Sequence, residues 1–298
     1  MSDKFSSNVT RKEFIHQAAK IGGFILSYGV IHHVPLRAQN SPFHVALLAD
    51  THIAAYKNEQ YRGFYPAKNL EKVVNQVSGI HPEAMIITGD VARLSGELGD
   101  YAAIQQQLQP LKEKMPVFMA LGNHDDRNNF NKTFDQKTQY QQEINNKHVL
   151  VIDREDIRIL LLDSLMFVNI TPGLLGRQQR EWLKDYLDDK DKRPVFLFVH
   201  HTLNDGDGDL LDADRLFNII SGHKKVKAIF FGHSHVYSIS ERNKVKLINI
   251  PAVGYNFIDS QPVGWLEARI GADSGEFILH AIDGNQVNDG ERKVVKWR

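Results

Sequence analysis

Met115-Pro116-Val117-Phe118-Met119-Ala120-Leu121-Gly122-Asn123-His124-Asp125-Asp126 is the stretch from which the rest of the chain can be read. An apolar run carries the backbone to Leu121, a glycine turns it sharply, and Asn, His and Asp are presented together. That arrangement suits a site where a carboxamide oxygen holds a metal and the adjacent imidazole handles a proton. Gly-Asn is also ordinary turn chemistry, so its meaning depends on how the other apolar runs end.

Four further runs end in the same way. Residues 43–49 are largely apolar with little alternation, as a strand buried on both faces requires, and lead to Asp50-Thr51-His52. Residues 84–87 lead to Gly89-Asp90, 194–199 to His200-His201, and 226–231 to Gly232-His233-Ser234-His235. Helical spacing lies between them: Leu70, Val73, Val74 and Val77; Tyr101, Ile104, Leu108 and Leu111; Trp182, Leu183 and Leu187; and residues 213–220. Strands alternating with helices define an α/β class. A hairpin over 149–152 and 157–162, with later strands over 246–250, 265–270 and 276–281, adds a mixed or second sheet. Residues 130–147 read as a polar excursion with some helix rather than core. One domain from 41 to 298 is the simplest account.

The 298 residues, 42% of them hydrophobic, can build a substantial core. Lys+Arg and Asp+Glu balance at 36 each, which argues against a broad nucleic-acid-binding surface. The absence of cysteine excludes disulfides and thiolate metal sites, leaving His, Asp, Glu, Asn and water as ligands.

Residues 1–40 differ from the rest. Thr10-Arg11-Lys12-Glu13-Phe14-Ile15 precedes an apolar stretch over 21–31, and Ala38 offers a small-residue processing site. The segment resembles a twin-arginine export signal whose second arginine is Lys12. About eleven apolar residues are too few to span a bilayer comfortably. The expectation is a periplasmic or secreted protein; the alternative is an amphipathic helix on a cytoplasmic one.

At five run ends the sequence thus places Asp50, His52, Asp90, Asn123, His124, His200, His233 and His235. Ligands at the carboxyl ends of strands in open α/β sheets converge on one crevice. Each piece has an ordinary alternative: Asp-x-His as a cap or turn, Gly-Asp as a turn, His200-His201 as buried imidazoles. Two imidazoles at i and i+2 on a tight turn, as in Gly-His-Ser-His, are seldom needed for packing. These nitrogen and oxygen donors suit Mn, Fe or Zn better than Ca or Mg. Besides His124, the remaining seven exceed the needs of one ion, and two ions sharing Asp90 would use them all.

The order Asp-x-His, Gly-Asp, Gly-Asn-His-Asp, His, Gly-His-x-His closely resembles the calcineurin-like metallophosphoesterase superfamily over about residues 43–255. Among its branches, the class III cyclic nucleotide phosphodiesterases look most similar. The resemblance implies a four-layer αββα sandwich of two mixed β-sheets flanked by helices. It implies one metal on Asp50, His52, Asp90 and His235, a second on Asp90, Asn123, His200 and His233, and His124 as the non-ligand histidine beside the leaving group. Many relatives carry a second acid three residues after the bridging Asp; here that position is Arg93. Either Asp125 or Asp126 would then orient His124, or His124 would be less tightly poised, and Arg93 would meet a substrate phosphate or face solvent. Arg62, in a loop rich in Tyr and Arg over 56–65, and Tyr255, in the segment 249–255, are further candidates for substrate contact.

The implied chemistry is in-line attack on phosphorus by a hydroxide generated between two metals, with His124 as general acid. The expected substrate is a small phosphodiester or phosphomonoester, a cyclic nucleotide among them, rather than a nucleic-acid polymer. A nonspecific exported phosphatase or nuclease and a non-catalytic scaffold of the same fold are the alternatives. A scaffold could lose ligands, and none is missing. Neither a stable membrane span nor an oligomeric state is legible.

Overall fold

Strand β1 (Phe43–Leu48) is buried on both faces apart from a half-buried His44, so it can only lie inside a covered sheet. It pairs in parallel with β2 (Ala84–Thr88), and β2 in parallel with β3 (Val117–Ala120). The other edge of β1 takes β11 (Pro262–Ile270) antiparallel, followed outward by β12 (Ser274–Gly284) and β13 (Arg292–Lys296). The computed structural model describes residues 41–134 and 139–298. The export segment expected within 1–40 lies outside the described residues.

A second sheet runs β4 (Gln141–Gln142), β5 (Val149–Asp153), β6 (Arg158–Leu161), β7 (Val195–Phe198), β8 (Val226–Phe231), β10 (Val245–Asn249), β9 (Ser238–Arg242). Its four central strands are parallel and its edges antiparallel. Helices α1 (Pro66–Ile80), α2 (Leu98–Lys112) and α3 (Arg127–Thr133) contribute to the apolar cluster on the outer face of the first sheet. Helices α4 (Arg177–Leu187) and α5 (Ala213–Ser221) do the same on the second. The result is the four-layer αββα sandwich.

Between the sheets Phe43, Val45 and Leu47 share a core with Phe196, Phe198 and Phe230, and the last two rings stack at 4.5 Å. The parallel runs were legible because burial on both faces demands unbroken apolar sequence. The reading of 130–147 as outside the core needs correction: its helical part is α3, and Phe130 and Phe134 are buried in the core. Isolated aromatics in a polar stretch, packing on Tyr101 from α2, leave no periodic signal. Edge strands β9 and β13 escaped for the opposite reason, since most of their side chains are not buried. Among the described residues no helix is long and apolar enough to cross a membrane.

The strand ends are locked together by backbone. Asp50 N and His52 N donate to Gly89 O and Asp90 O at 3.1 and 3.0 Å, extending the β1–β2 ladder past its last residues. Val253 N and Gly254 N, beyond β10 of the second sheet, donate to Ala49 O and Asp50 O at 3.0 and 2.9 Å. The two sheets therefore meet at their carboxyl ends, and the polar turns share one crevice.

Candidate metal centre

Left-handed backbone at a non-glycine residue costs about 1 kcal/mol or more and persists where surroundings enforce it. Asp50, His52, Asp90, His233 and His235 all adopt it, with φ between 47° and 71°. That places the strain on the ligand candidates themselves. The glycines beside them make room: a Cβ on Gly122 would sit 2.2 Å from Asp90 Oδ1, and one on Gly232 2.4 Å from Asp50 Oδ2.

Three donor groups result. Asp50, His52 and His235 converge, as do Asp90, His200 and His233, while His52, Asp90 and His124 form a third group between them. Asp90 Oδ2 lies 3.3 Å from His200 Nε2, 3.8 Å from His52 Nε2 and 4.0 Å from His124 Nε2. Asp50 Oδ1 lies 3.4 Å from His235 Nε2. The carboxylates also organise the turns: Asp50 accepts from His233 N at 3.0 Å and Asp90 from His124 N at 2.8 Å.

Each imidazole is anchored on a backbone carbonyl, which can only accept. His200 Nδ1 donates to Thr88 O at 2.8 Å, His235 Nδ1 to Tyr255 O at 2.6 Å, and His124 Nδ1 to Leu94 O at 2.8 Å. His233 uses Nε2 on Gly208 O at 3.0 Å, and His52 reaches Arg93 O with Nδ1 at 3.4 Å. In a neutral ring the other nitrogen is then a bare lone pair, the arrangement that metal-binding histidines need. His52 Nε2 and His235 Nε2 consequently oppose each other at 3.2 Å. Asn123 Oδ1 and His200 Nε2 are buried without a hydrogen-bond partner among the described residues. Facing lone pairs and an orphaned buried carbonyl are costly in a protein interior and are relieved by a cation. The donor set fits divalent metal.

The charge states agree at His52 and His233 and differ at His200. Burial, with neighbouring imidazoles, lowers His52 to about 3 and His233 to about 4, keeping both rings neutral. Burial pushes Asp50 and Asp90 up, but the imidazoles of His235 and His200 outweigh it and hold both carboxyls below their usual range. Burial lowers His200, but Asp90 and Asp50 together raise it to about 9. Metal ligands must be deprotonated, so a cation would displace that proton.

The steering expectation for His124 is not met. Burial and the Asp90 charge push Asp125 up to about 6, and its oxygens are fully used elsewhere. They accept from Val91 N at 3.2 Å, Ala92 N at 3.0 Å, Gly122 N at 2.9 Å and the Tyr101 hydroxyl at 3.1 Å. Asp126 caps α3 through Asn129 N at 2.8 Å. His124 is oriented by the Leu94 carbonyl instead, a main-chain group that no sequence pattern announces. Arg93 pairs with Glu59 at 2.5 Å, and Arg62 donates to Asn256 O at 3.0 Å and Phe257 O at 3.3 Å. Tyr255 is buried and stacks on His52 at 4.8 Å, with His235 at 4.6 Å. His201, which the sequence offered beside His200, lies behind the ligands on Ser164 Oγ at 2.7 Å.

A four-layer α/β sandwich carrying such a donor cluster at its strand ends is built as a metallohydrolase. The chain belongs to the calcineurin-like phosphoesterase family, whose family model matches residues 43–237, and is a hydrolase acting on ester bonds. It is 27% identical over 224 residues to a probable cyclic nucleotide phosphodiesterase of Vesicomyosocius okutanii, covering 73% of this chain and 89% of that one. It is 26% identical to a glycerophosphodiester phosphodiesterase of Enterobacter lignolyticus over 73% of this chain and 81% of the relative. The fold matches a dimetal phosphatase from Danio rerio with a TM-score of 0.68 at 15% identity, covering 87% of this chain and 100% of that structure.

Proposed function

We propose that the protein is a two-metal phosphodiesterase acting on small phosphodiesters. The observation that carries this reading is the pair of donor groups, Asp50/His52/His235 and Asp90/His200/His233, with Asp90 oxygen within 4 Å of imidazoles from both. In this reading Asp50, His52, Asp90 and His235 hold one ion, and Asp90, Asn123, His200 and His233 the other. The donor types suit Mn, Fe or Zn. When bound, such ions lower the pKa of water and offset the charge that builds on phosphate oxygens. His124 is held by Leu94 O with Nε2 on the Asp90 side, where it can protonate the departing oxygen. Named relatives act on diesters of two kinds, which favours diesters over monoesters here. The twin-arginine-like segment Thr10–Ile15 supports export, which an intact-mass measurement of the mature N-terminus tests: retention of residues 1–38 would refute it.

The decisive experiment supplies Mn²⁺ to the pure protein and compares bis(p-nitrophenyl) phosphate, p-nitrophenyl phosphate and cyclic AMP. Diester turnover at least tenfold above the monoester is expected. Monoester preference would refute the diester assignment, and no turnover with metal bound would refute the enzymatic one. His124→Ala should slow esters of poor leaving groups by about 10²-fold or more while sparing p-nitrophenyl esters. Equal effects on both would remove the acid role.

A further inference from the structure

Arg93 and Arg62 each hydrogen-bond protein groups, and what they brace is aromatic. Arg93, paired with Glu59, lies 4.5 Å over the Tyr61 ring. Arg62, bonded to two carbonyls of the 256–257 turn, lies 5.4 Å over Phe257. Tyr61 meets Tyr255 edge-on at 4.7 Å, Tyr255 stacks on His52, and Phe257 lies 4.5 Å from the His235 ring. This forms a continuous wall standing directly on two ligand candidates. Its outer members are open, with Tyr61 37% and Phe257 47% exposed. Apolar side chains are also exposed on other sides. Phe167 and Ile170, 66% and 47% exposed, flank Asn169, whose N–H donates to Asn123 O at 2.6 Å; Leu94, 46% exposed, holds His124. Exposed apolar groups gathered around a polar crevice mark a binding surface.

Resting on the phosphodiesterase reading, we propose that Tyr61, Tyr255 and Phe257 form a subsite for an apolar ester substituent, so that the preferred substrates are phosphodiesters bearing an aromatic or alkyl group rather than a polar alcohol. Each exposed ring is braced by an arginine before binding. A ring or chain laid on it therefore loses little freedom of the protein. A polyol gains little from a wall whose exposed faces are the Tyr61 and Phe257 rings. A flat substituent gains ring stacking, and an alkyl chain gains area burial. Both chemistries fit the same wall and are separable by experiment.

The test uses the Mn²⁺-loaded enzyme and four p-nitrophenyl phosphodiesters whose second ester group is methyl, 2,3-dihydroxypropyl, benzyl or octyl. The leaving group is shared, so differences in kcat/KM report recognition of the second group. We expect benzyl or octyl to exceed methyl and dihydroxypropyl by about tenfold. In the Tyr61→Ala/Phe257→Ala double variant that ratio should shrink to about threefold or less. The ratio is internal to each variant and so independent of the fraction folded or metal-loaded. Benzyl ahead of octyl assigns a planar ring such as a base, and octyl level or ahead assigns an aliphatic chain. Turnover with equal rates across all four esters, or a preference that survives the double substitution, overturns the subsite and leaves the phosphodiesterase reading standing. Absence of turnover for every ester overturns both.

Discussion

Asp125 shows how one buried carboxylate can assemble a site it does not touch. Its four donors come from the turn after β2, the turn after β3 and the side chain of α2, so it ties together the segments carrying Asp90, Asn123 and His124. Replacing it with alanine leaves three backbone N–H groups and a hydroxyl buried without an acceptor, each costing about 1–3 kcal/mol if unrelieved. Asp125→Ala should therefore destabilise the protein by about 3–5 kcal/mol in urea unfolding and lower the metal content of the purified protein. Tyr101→Phe removes one of the four donors and the acceptor of Asp126 N at 2.8 Å, and should cost about 1–2 kcal/mol, with metal content retained. Equal effects of the two substitutions would show that the carboxylate does not act as the hub.

Among the elements, the same physics explains what could be read from sequence and what could not. The five site-bearing strands announced themselves because burial on both faces admits only apolar residues, and the glycines at Gly89, Gly122 and Gly232 marked their ends. The carbonyls of Leu94, Thr88 and Gly208 that fix the imidazoles could not be foreseen, since any residue supplies a carbonyl. The loop holding Arg62 was legible as rich in Tyr and Arg, but Arg62 pairs with the turn at Asn256 and Phe257, 194 and 195 residues away, and Arg93 with Glu59, 34 residues away. At the opposite end of the second sheet a charged network joins the β5–β6 hairpin to the turn before β7. Arg158 meets Asp189 at 2.6 Å and Asp191 at 2.9 Å, and Arg193 meets Asp153 at 2.7 Å and Asp191 at 2.5 Å. Hydrogen bonds from Arg193, helped by the Arg158 charge, hold the Asp191 carboxyl well below its usual range. A depressed carboxyl contributes stability above its unfolded pKa of about 3.9, and that contribution is lost as pH falls toward the folded value. Asp191→Asn should thus lower Tm by about 1–3 °C at pH 7, less in high salt, with the difference from wild type shrinking below pH 4. A difference unchanged from pH 7 to pH 3 would contradict the assignment.

Taken whole, the molecule is two sheets whose interior is apolar and whose carboxyl ends would be joined through metal. Asp50, His52, Asp90 and Asn123 leave the first sheet, while His200, His233 and His235 leave the second, and both donor groups draw on both sheets. Without a cation the crevice keeps opposed lone pairs, an orphaned amide oxygen and left-handed ligand backbones, all of which oppose closure. A ligand that binds only the folded state stabilises it by RT ln(1 + [L]/Kd), about 2.7 kcal/mol at a hundredfold excess over Kd. For a domain of this size that corresponds to a rise in Tm on the order of 5–10 °C. Chelation followed by scanning calorimetry should show a loss of this size, restored by Mn²⁺ or Zn²⁺. Asp90→Asn, which removes the charge shared by both groups, should abolish most of the metal-dependent increment. It should leave the metal-free Tm no lower than that of the chelated wild type by more than a few degrees. If chelation left Tm unchanged in protein shown to bind metal, the ions would not be fastening the two sheets, and the convergence of their strand ends would have to be held by backbone and core alone.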